Sequence, residues 1–557
     1  MSSELIDLAH DALRFIMCHK VAIEKFPLQT YMSALLFSPK QSIIRKIYAH
    51  EESEVMTIVP PVGDQWNACL QTLEGNNKPL MSAVFSHDST RLASASRDCT
   101  IKIWNADSGA CLQTLEGHSS RVNSVVFSHD STRLASASAD YTIKIWDADS
   151  GACLHTLEGH SSSVNSVVFS HDSTRMRSKS LDDTIKIWDT DSGACLKTHR
   201  GYSGMTRLLV YSHDWTRTAW TSSDGTIKIC APGNGGYLQT LGSHQVDGVF
   251  SSLAFSNDST QLASASSASS DGTIKIWNVG SGACLQMLES HIGLVLSVVF
   301  SHDSARLASA SSLCTIKIWD TSSGACLQTL EGHRGWIHSL SFSYNSTRLA
   351  SASSDGTIKI WDASSAIHTQ TSEGHEQVVL FMALSPDLTR IASIGDGKLK
   401  IWNTSSGACL HTLEDERSFT ECLVFSRDST RLASGIRETA TIKIWDVGTG
   451  ACLQTLRGQI SSHYSVVFPC DNGLGSISED FQPRSVHRPS IGVITDRSRS
   501  CSWITLQSKK LLWLPSEYRP SCSSVLAGMA GIGTHAGKVW ICRFNAVNQR
   551  SQALLER

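Results

Sequence analysis

The pentapeptide Thr-Ile-Lys-Ile-Trp begins at residues 100, 142, 184, 273, 315, 357 and 441, and two weaker copies, TIKIC ending at Cys230 and KLKIW ending at Trp402, fill the gaps. From one motif-final residue to the next the steps are 42, 42, 42, 47, 42, 42, 41 and 43 residues. No other feature constrains the chain as much. A unit of this length cannot bury a core alone, so neighbouring units must stack.

Residues 118 to 160 serve as the type unit. VNSVVFS, RLASAS, TIKIWD and CLHTL are apolar or β-branched runs bounded by Ser, Asp and Gly. Such runs predict four short antiparallel strands per unit. Four strands at this period, with Gly-His ahead of them and Trp-Asp ending the third, resemble the WD40 repeat family. The resemblance covers roughly residues 67 to 470. It implies an all-β fold: a WD40 β-propeller array of about eleven four-stranded blades, in two propellers or one large ring, behind a short N-terminal helical arm. It also implies that His118, Ser138, Asp140 and Trp146 form one buried hydrogen-bonded chain. Each link contributes about 1 kcal/mol net, whereas an unpaired buried partner costs about 1 to 3 kcal/mol. The repeated histidine (His118, His160, His244, His291, His333, His375) is then structural.

Units that depart from the pattern are expected to be looser. The turn aspartate is Leu313 and Thr439 in two units, the tryptophan is Cys230 in the fourth, and Gly-His becomes Asp415-Glu416 and Gly458-Gln459 near the end.

Three regions follow in order: a helical arm and linker over 1–66, blades one to seven over 67–375, and further blades eight to eleven over 376–557, the last two degenerate. In the arm, Leu5, Leu8, Ala12, Phe15 and Ile16 recur at helical spacing, and a second helix is predicted from Pro27 to Phe37. The arm, then PLQTYMSALLFSP, then the entry WNACLQTL, is similar to the linker ahead of WD40 arrays in fungal NACHT-type, NLR-like STAND receptors. In those proteins a nucleotide-binding module precedes the linker and the repeats act as the sensor. No P-loop occurs in this chain, since Gly531 to Lys538 has the wrong spacing. Asn67 to Gly75 reads as an outer strand without a blade, suited to closing a ring by completing its last blade, and the eleventh unit lacks a fourth strand.

Composition removes several function classes. A net charge of -3 gives no basic field for nucleic acid. No apolar run reaches the roughly 18 residues of a membrane span. Eight of the 17 cysteines (Cys69, Cys111, Cys153, Cys195, Cys284, Cys326, Cys409 and Cys452) occupy one repeat position, which reads as reduced, strand-buried thiols in a cytoplasmic protein. No metal-ligand spacing or cofactor motif is present, and Ser, His and Asp recur in every unit where a catalytic set would occur once; an enzyme is not expected.

Because the units are nearly identical, the places where they differ carry information. Variation falls in the loop after Gly-His and beside the turn aspartate, and both loops emerge on one propeller face. Arg97, Arg121, Tyr141, Arg334 and Trp336 lie there, and their types dominate binding energy at interfaces. The expected role is a non-catalytic scaffold or sensor for a protein or peptide ligand. The alternative is an adapter of the mitochondrial-division or ubiquitin-ligase type, but residues 1 to 66 show neither heptads nor an F-box-like stretch.

Overall fold

A computed structural model describes residues 3–26, 33–51, 56–59, 64, 66, 68–74, 78–200, 208–214, 216–221, 226–230, 237–241, 250–266, 273–289, 291, 293–364, 375, 379–395, 398–414, 420–426, 428–436, 441–457, 491–495, 502–506, 509–515, 518–526, 529–534 and 538–544. Among these residues the chain forms eleven antiparallel sheets, ten of four strands and one of three. They divide between two compact units, Asn67–Thr369 and the remainder.

The Asn67–Thr369 unit is a closed ring of seven blades. In blade 2, Val122–Phe127, Arg133–Ser138, Ile143–Asp147 and Cys153–Leu157 are strands a to d. Alternation decides what each face meets. Ala135 and Ala137 on strand b, with Ile143 and Ile145 on strand c, are fully buried against Val164, Val167, Phe169, Met176 and Trp188 of blade 3. Small residues on one blade thus receive large ones from the next, which lets wedge-shaped sheets pack without voids. The ring closes where blade 7 meets blade 1. Ala350, Ala352, Ile358 and Ile360 pack against Leu80, Phe85, Leu92 and Trp104, and the Ala83 amide donates to Ser339 Oγ at 3.3 Å. Strand Cys69–Glu74 pairs with Thr357–Asp362 as the fourth strand of blade 7, so the ring is completed by residues from both of its ends.

An arginine opening strand b links neighbouring blades. Arg91 Nη1 donates to Asp149 Oδ1 at 2.6 Å and Arg91 Nη2 to the Ser131 carbonyl at 2.6 Å. Arg133 reaches Asp191 at 2.7 Å and Arg348 reaches Asp107 at 2.6 Å.

In the second unit, blades 8 and 9 repeat the pattern, blade 10 has three described strands (Ile491–Thr495, Ser502–Leu506, Lys509–Trp513), and blade 11 is Cys522–Leu526, Met529–Gly533 and Val539–Phe544. The fourth strand of blade 11 is Met56–Val59, paired with Val539–Phe544. The linker part of residues 1–66 thus holds a strand beside the helical arm, and that strand supplies the one the eleventh unit lacks. Four residues between polar and proline-rich stretches show too little alternation to announce a strand. Helix Ser3–Lys25 does form; Ala22 packs against Trp503 and Trp513, and Asp11 accepts hydrogen bonds from Trp66 Nε1 at 2.7 Å and from Ser42 Oγ and the Ile44 amide at 2.8 Å each. Of the helix expected over Pro27–Phe37, residues 27–32 lie outside the described residues, and 33–37 form a short π-type and turn segment.

The expectation of strand-buried thiols holds at Cys69, which is buried, and needs correction at most of the other repeat cysteines. Cys111, Cys153, Cys195, Cys284, Cys326 and Cys452 are exposed, because strand d is the outer edge of its blade and nothing covers it. Each sits at a bulge opposite the motif tryptophan, as Cys111 does opposite Trp104. Cys314 and Cys542 are buried, and burial pushes both thiols up to about 12. Native alkylation with iodoacetamide at pH 8, read by mass spectrometry, should label the six edge cysteines and spare Cys314 and Cys542 until denaturant is added; equal labelling would contradict this packing.

Candidate functional site

The buried hydrogen-bonded chain in each repeat decides where the loops lie. In blade 2, Trp146 Nε1 donates to Ser136 Oγ at 2.8 Å, Ser136 Oγ lies 2.7 Å from His118 Nε2, and His118 Nδ1 lies 2.8 Å from Asp140 Oδ2. The serine is therefore Ser136 and not Ser138. Trp146 pairs with Leu134 across the sheet, and its ring reaches only the next inward residue of that strand. Ser138 lies at the turn and donates instead to the Arg121 carbonyl at 3.0 Å. An ionised carboxylate can only accept, so His118 Nδ1 carries the proton, Nε2 accepts from the serine hydroxyl, and the serine oxygen accepts from the indole. Burial depresses the His118 pKa, with partial relief from Asp140. Asp140 is raised by burial, but hydrogen bonds from Thr142 and His118 outweigh this and hold it low. The same set recurs as Trp188–Ser178–His160–Asp182 and Trp361–Ser351–His333–Asp355.

Where the aspartate is Leu313, the rest survives: Trp319 donates to Ser309 at 2.9 Å and His291 Nε2 lies 2.6 Å from Ser309 Oγ. With no carboxylate to offset burial, His291 falls to about 3. Blade 4 exchanges residues: Trp220 stands at the serine position and Cys230 at the tryptophan position, both buried. Asp271, Asp396, Thr439, His244, Asp415, Glu416, Gly458 and Gln459 lie outside the described residues.

Asp140 also accepts from the Ser119 amide at 3.0 Å, and the Ala139 amide donates to the Arg121 carbonyl at 3.0 Å. The loop between blades and the turn between strands b and c are therefore stitched together on one face, as the Ser354 amide to Trp336 carbonyl bond at 2.9 Å repeats in blade 7. This face carries all five candidate anchors. Arg121 and Tyr141 belong to blade 2, Arg97 to blade 1, and Arg334 and Trp336 to blade 7, so three consecutive blades hold them across the ring closure. Tyr141 is 50% and Trp336 55% exposed. Arg97 is close enough to His338, which stacks edge-on at 6.4 Å from Trp336, to help depress its pKa after burial. Tyr141 adopts φ 73°, a left-handed backbone that its counterpart Gly356 occupies at 82° without steric cost.

A second feature lies in the turns between strands a and b, whose sequence changes little from blade to blade. The second residue after strand a is His87, His129, His171, His213, Asn257, His302 and Tyr344 in blades 1 to 7. Ring centroids are 4.0 Å apart for His87–His129, 4.5 Å for His129–His171, 4.6 Å for His302–Tyr344 and 6.3 Å for His213–His302. The signal was available: a ring-bearing residue at one position just past the innermost strand in six of the seven blades must converge on the axis. Burial first, then neighbouring imidazoles, lower His129 and His302 to about 4.

Residues 79–269 match the family described as IFT122 first beta-propeller, and residues 282–320, 324–362, 367–403 and 407–446 match the WD domain, G-beta repeat family. The vegetative incompatibility protein HET-E-1 of Podospora anserina is 47% identical over 105 residues, which are 19% of this chain and 8% of that protein. The chain thus aligns with a small part of that relative's length.

Two outcomes follow from this geometry. His129 and His302 titrate below their ordinary 6.5, so the stability they contribute is complete above about 6.5 and is lost as pH falls toward 4. The melting temperature should drop across that window, and His129→Asn, the residue type found in blade 5, should reduce the drop; an unchanged pH profile would refute the role. Tyr141→Gly should raise stability toward denaturant by about 0.5–1 kcal/mol, the relief of left-handed strain less the entropy of glycine.

Proposed function

Starting from a chain built of WD40 repeats, we propose that it is a non-catalytic interaction scaffold of the sensor kind, which presents the variable face of blades 7, 1 and 2 to a protein or peptide ligand. WD40 repeats serve generally as protein-interaction modules. The observation that carries the reading is the gathering of Trp336, Tyr141, Arg97, Arg121 and Arg334 on one face of three consecutive blades. Exposed aromatics supply apolar anchor area at small entropic cost, and guanidinium groups pair with acidic side chains of a partner.

Ser136, His118 and Asp140 have the composition of a hydrolytic triad. Their disposition favours a structural role: the serine is wholly buried, its oxygen already accepts from Trp146, and the set recurs from blade to blade. Similarity to a stretch of a vegetative incompatibility protein supports a recognition role, and six exposed free thiols support a reducing, cytoplasmic compartment. No helix among the described residues is long and apolar enough to cross a membrane.

The test is affinity capture from source-cell extract with mass spectrometry, comparing wild type with a variant carrying Arg97→Ala, Tyr141→Ala and Trp336→Ala. All three side chains are exposed or on turns, so the variant should fold, as circular dichroism would verify. A partner retained by wild type and lost by the folded variant supports the reading. Identical partner sets would move the working surface elsewhere.

A further inference from the structure

Helix Ser3–Lys25 buries one side against its own unit. Phe15, His19 and Ala22, four and then three residues apart, share that side and are buried. Phe15 packs with Ala34 and Leu35, and Ala22 with Trp503 and Trp513. The adjoining side is apolar too, yet it lies at the surface. Leu5 is 55% and Ile16 51% exposed, Ala9 is exposed and Ala12 half-buried, and Leu13 beside them is 58% exposed. A helix resting on a single core carries polar residues there.

Positions 5, 9, 12 and 16 follow at steps of four, three and four, which is the rhythm of a seam between two packed helices. At 100° per residue they fall within about 60° of the helix circumference, and they span about 16.5 Å of its axis. The order of residues along the seam says what can cover it. From either end it reads large aliphatic, alanine, alanine, large aliphatic. Two copies of the helix running antiparallel about a two-fold axis between residues 10 and 11 set Leu5 of each copy against Ile16 of the other and Ala9 against Ala12. Each pair then occurs twice, as a symmetric contact requires. Small residues at the centre let the axes approach, and the aliphatic side chains fill the flanks.

Charge chooses the direction. Residues Ser3–Leu13 include three acidic residues and no lysine or arginine, whereas Arg14–Lys25 include three basic residues and the single acid Glu24. Antiparallel pairing lays the acidic half of each copy beside the basic half of the other and opposes the two helix dipoles. Parallel pairing would lay like beside like.

We propose that helix Ser3–Lys25 is a dimerisation surface, covered by the same helix of a second copy of this chain in antiparallel register, Leu5 on Ile16 and Ala9 on Ala12. None of these residues belongs to the candidate face of blades 7, 1 and 2, so the dimer stands or falls apart from that reading. Where both hold, the dimer carries two copies of the face and binds a multivalent ligand with avidity.

The test is sedimentation equilibrium of the full chain over a range of concentrations, in reducing buffer so that the exposed edge thiols do not join copies. Wild type should distribute between monomer and dimer by mass action. Leu5→Lys and Ile16→Glu are changes at exposed positions and should leave the fold intact, as circular dichroism would verify; each should raise the dissociation constant at least about tenfold. The chain carrying both substitutions should dimerise more tightly than either single variant, because the two new charges face each other only across an antiparallel pair. Within one helix they are eleven residues apart and do not meet. A wild type that stays monomeric at every concentration, or a dimer that neither single substitution weakens, overturns the proposal. A double variant no tighter than the single ones overturns the antiparallel register.

Discussion

The fold depends on a neutral imidazole with one allowed tautomer. In blades 2, 3 and 7 the carboxylate fixes the proton on Nδ1, and the indole N–H fixes the serine as acceptor on one side and donor on the other. Direction therefore runs one way along each chain, from tryptophan to aspartate. Such a chain has no satisfactory alternative arrangement, which is how a modest net energy per bond specifies one geometry. The consequence reaches the surface. Because the aspartate also takes the amide of the residue after the histidine, the core network sets the relation between the two loops that form the candidate recognition face.

Much of this organisation was legible in the chain because the repeat supplies its own comparison. The period, the four strands and the helix over Ser3–Lys25 follow from spacing and alternation alone. What escaped depended on distances that periodicity does not encode. Ser136 and Ser138 share a face of one strand, so alternation cannot choose between them; only the reach of the indole does. Met56–Val59 is too short to carry a pattern, and its partner strand lies almost five hundred residues away in sequence. Exposure of the edge cysteines follows from their being on a last strand, a fact about sheet order and not about residue type. The imidazole girdle was invisible as chemistry because a residue repeated in every unit reads as a turn former, whereas closure of the ring brings those turns together.

The candidate recognition face shows the same division. Which residues vary was readable from the sequence, as was the face they share. That Arg97, Arg121, Tyr141, Arg334 and Trp336 fall on three consecutive blades was not, because Trp336 and Arg97 come onto adjacent blades only where blade 7 packs against blade 1. Ring closure therefore assembles the face as well as stabilising the ring.

Departures from the repeat separate into two physical kinds. At Leu313 one member of a network is lost and nothing around it answers: the histidine keeps its serine, the tryptophan keeps its serine, and the imidazole is left with burial uncompensated. Loss of constraint at one position produces this signature. Between blades 3 and 4 both partners of an interface have changed together, alanines to Arg177 and Lys179 on one side and phenylalanine, leucine and tryptophan to Tyr211, Thr218 and Cys230 on the other. Either half alone would bury a charge against an apolar wall or leave an apolar wall unfilled, each at a cost of several kcal/mol. Matched change of this sort keeps the charged strand Arg175–Ser180 from facing a wholly apolar wall, and it sets this interface apart from the scattered losses elsewhere in the array.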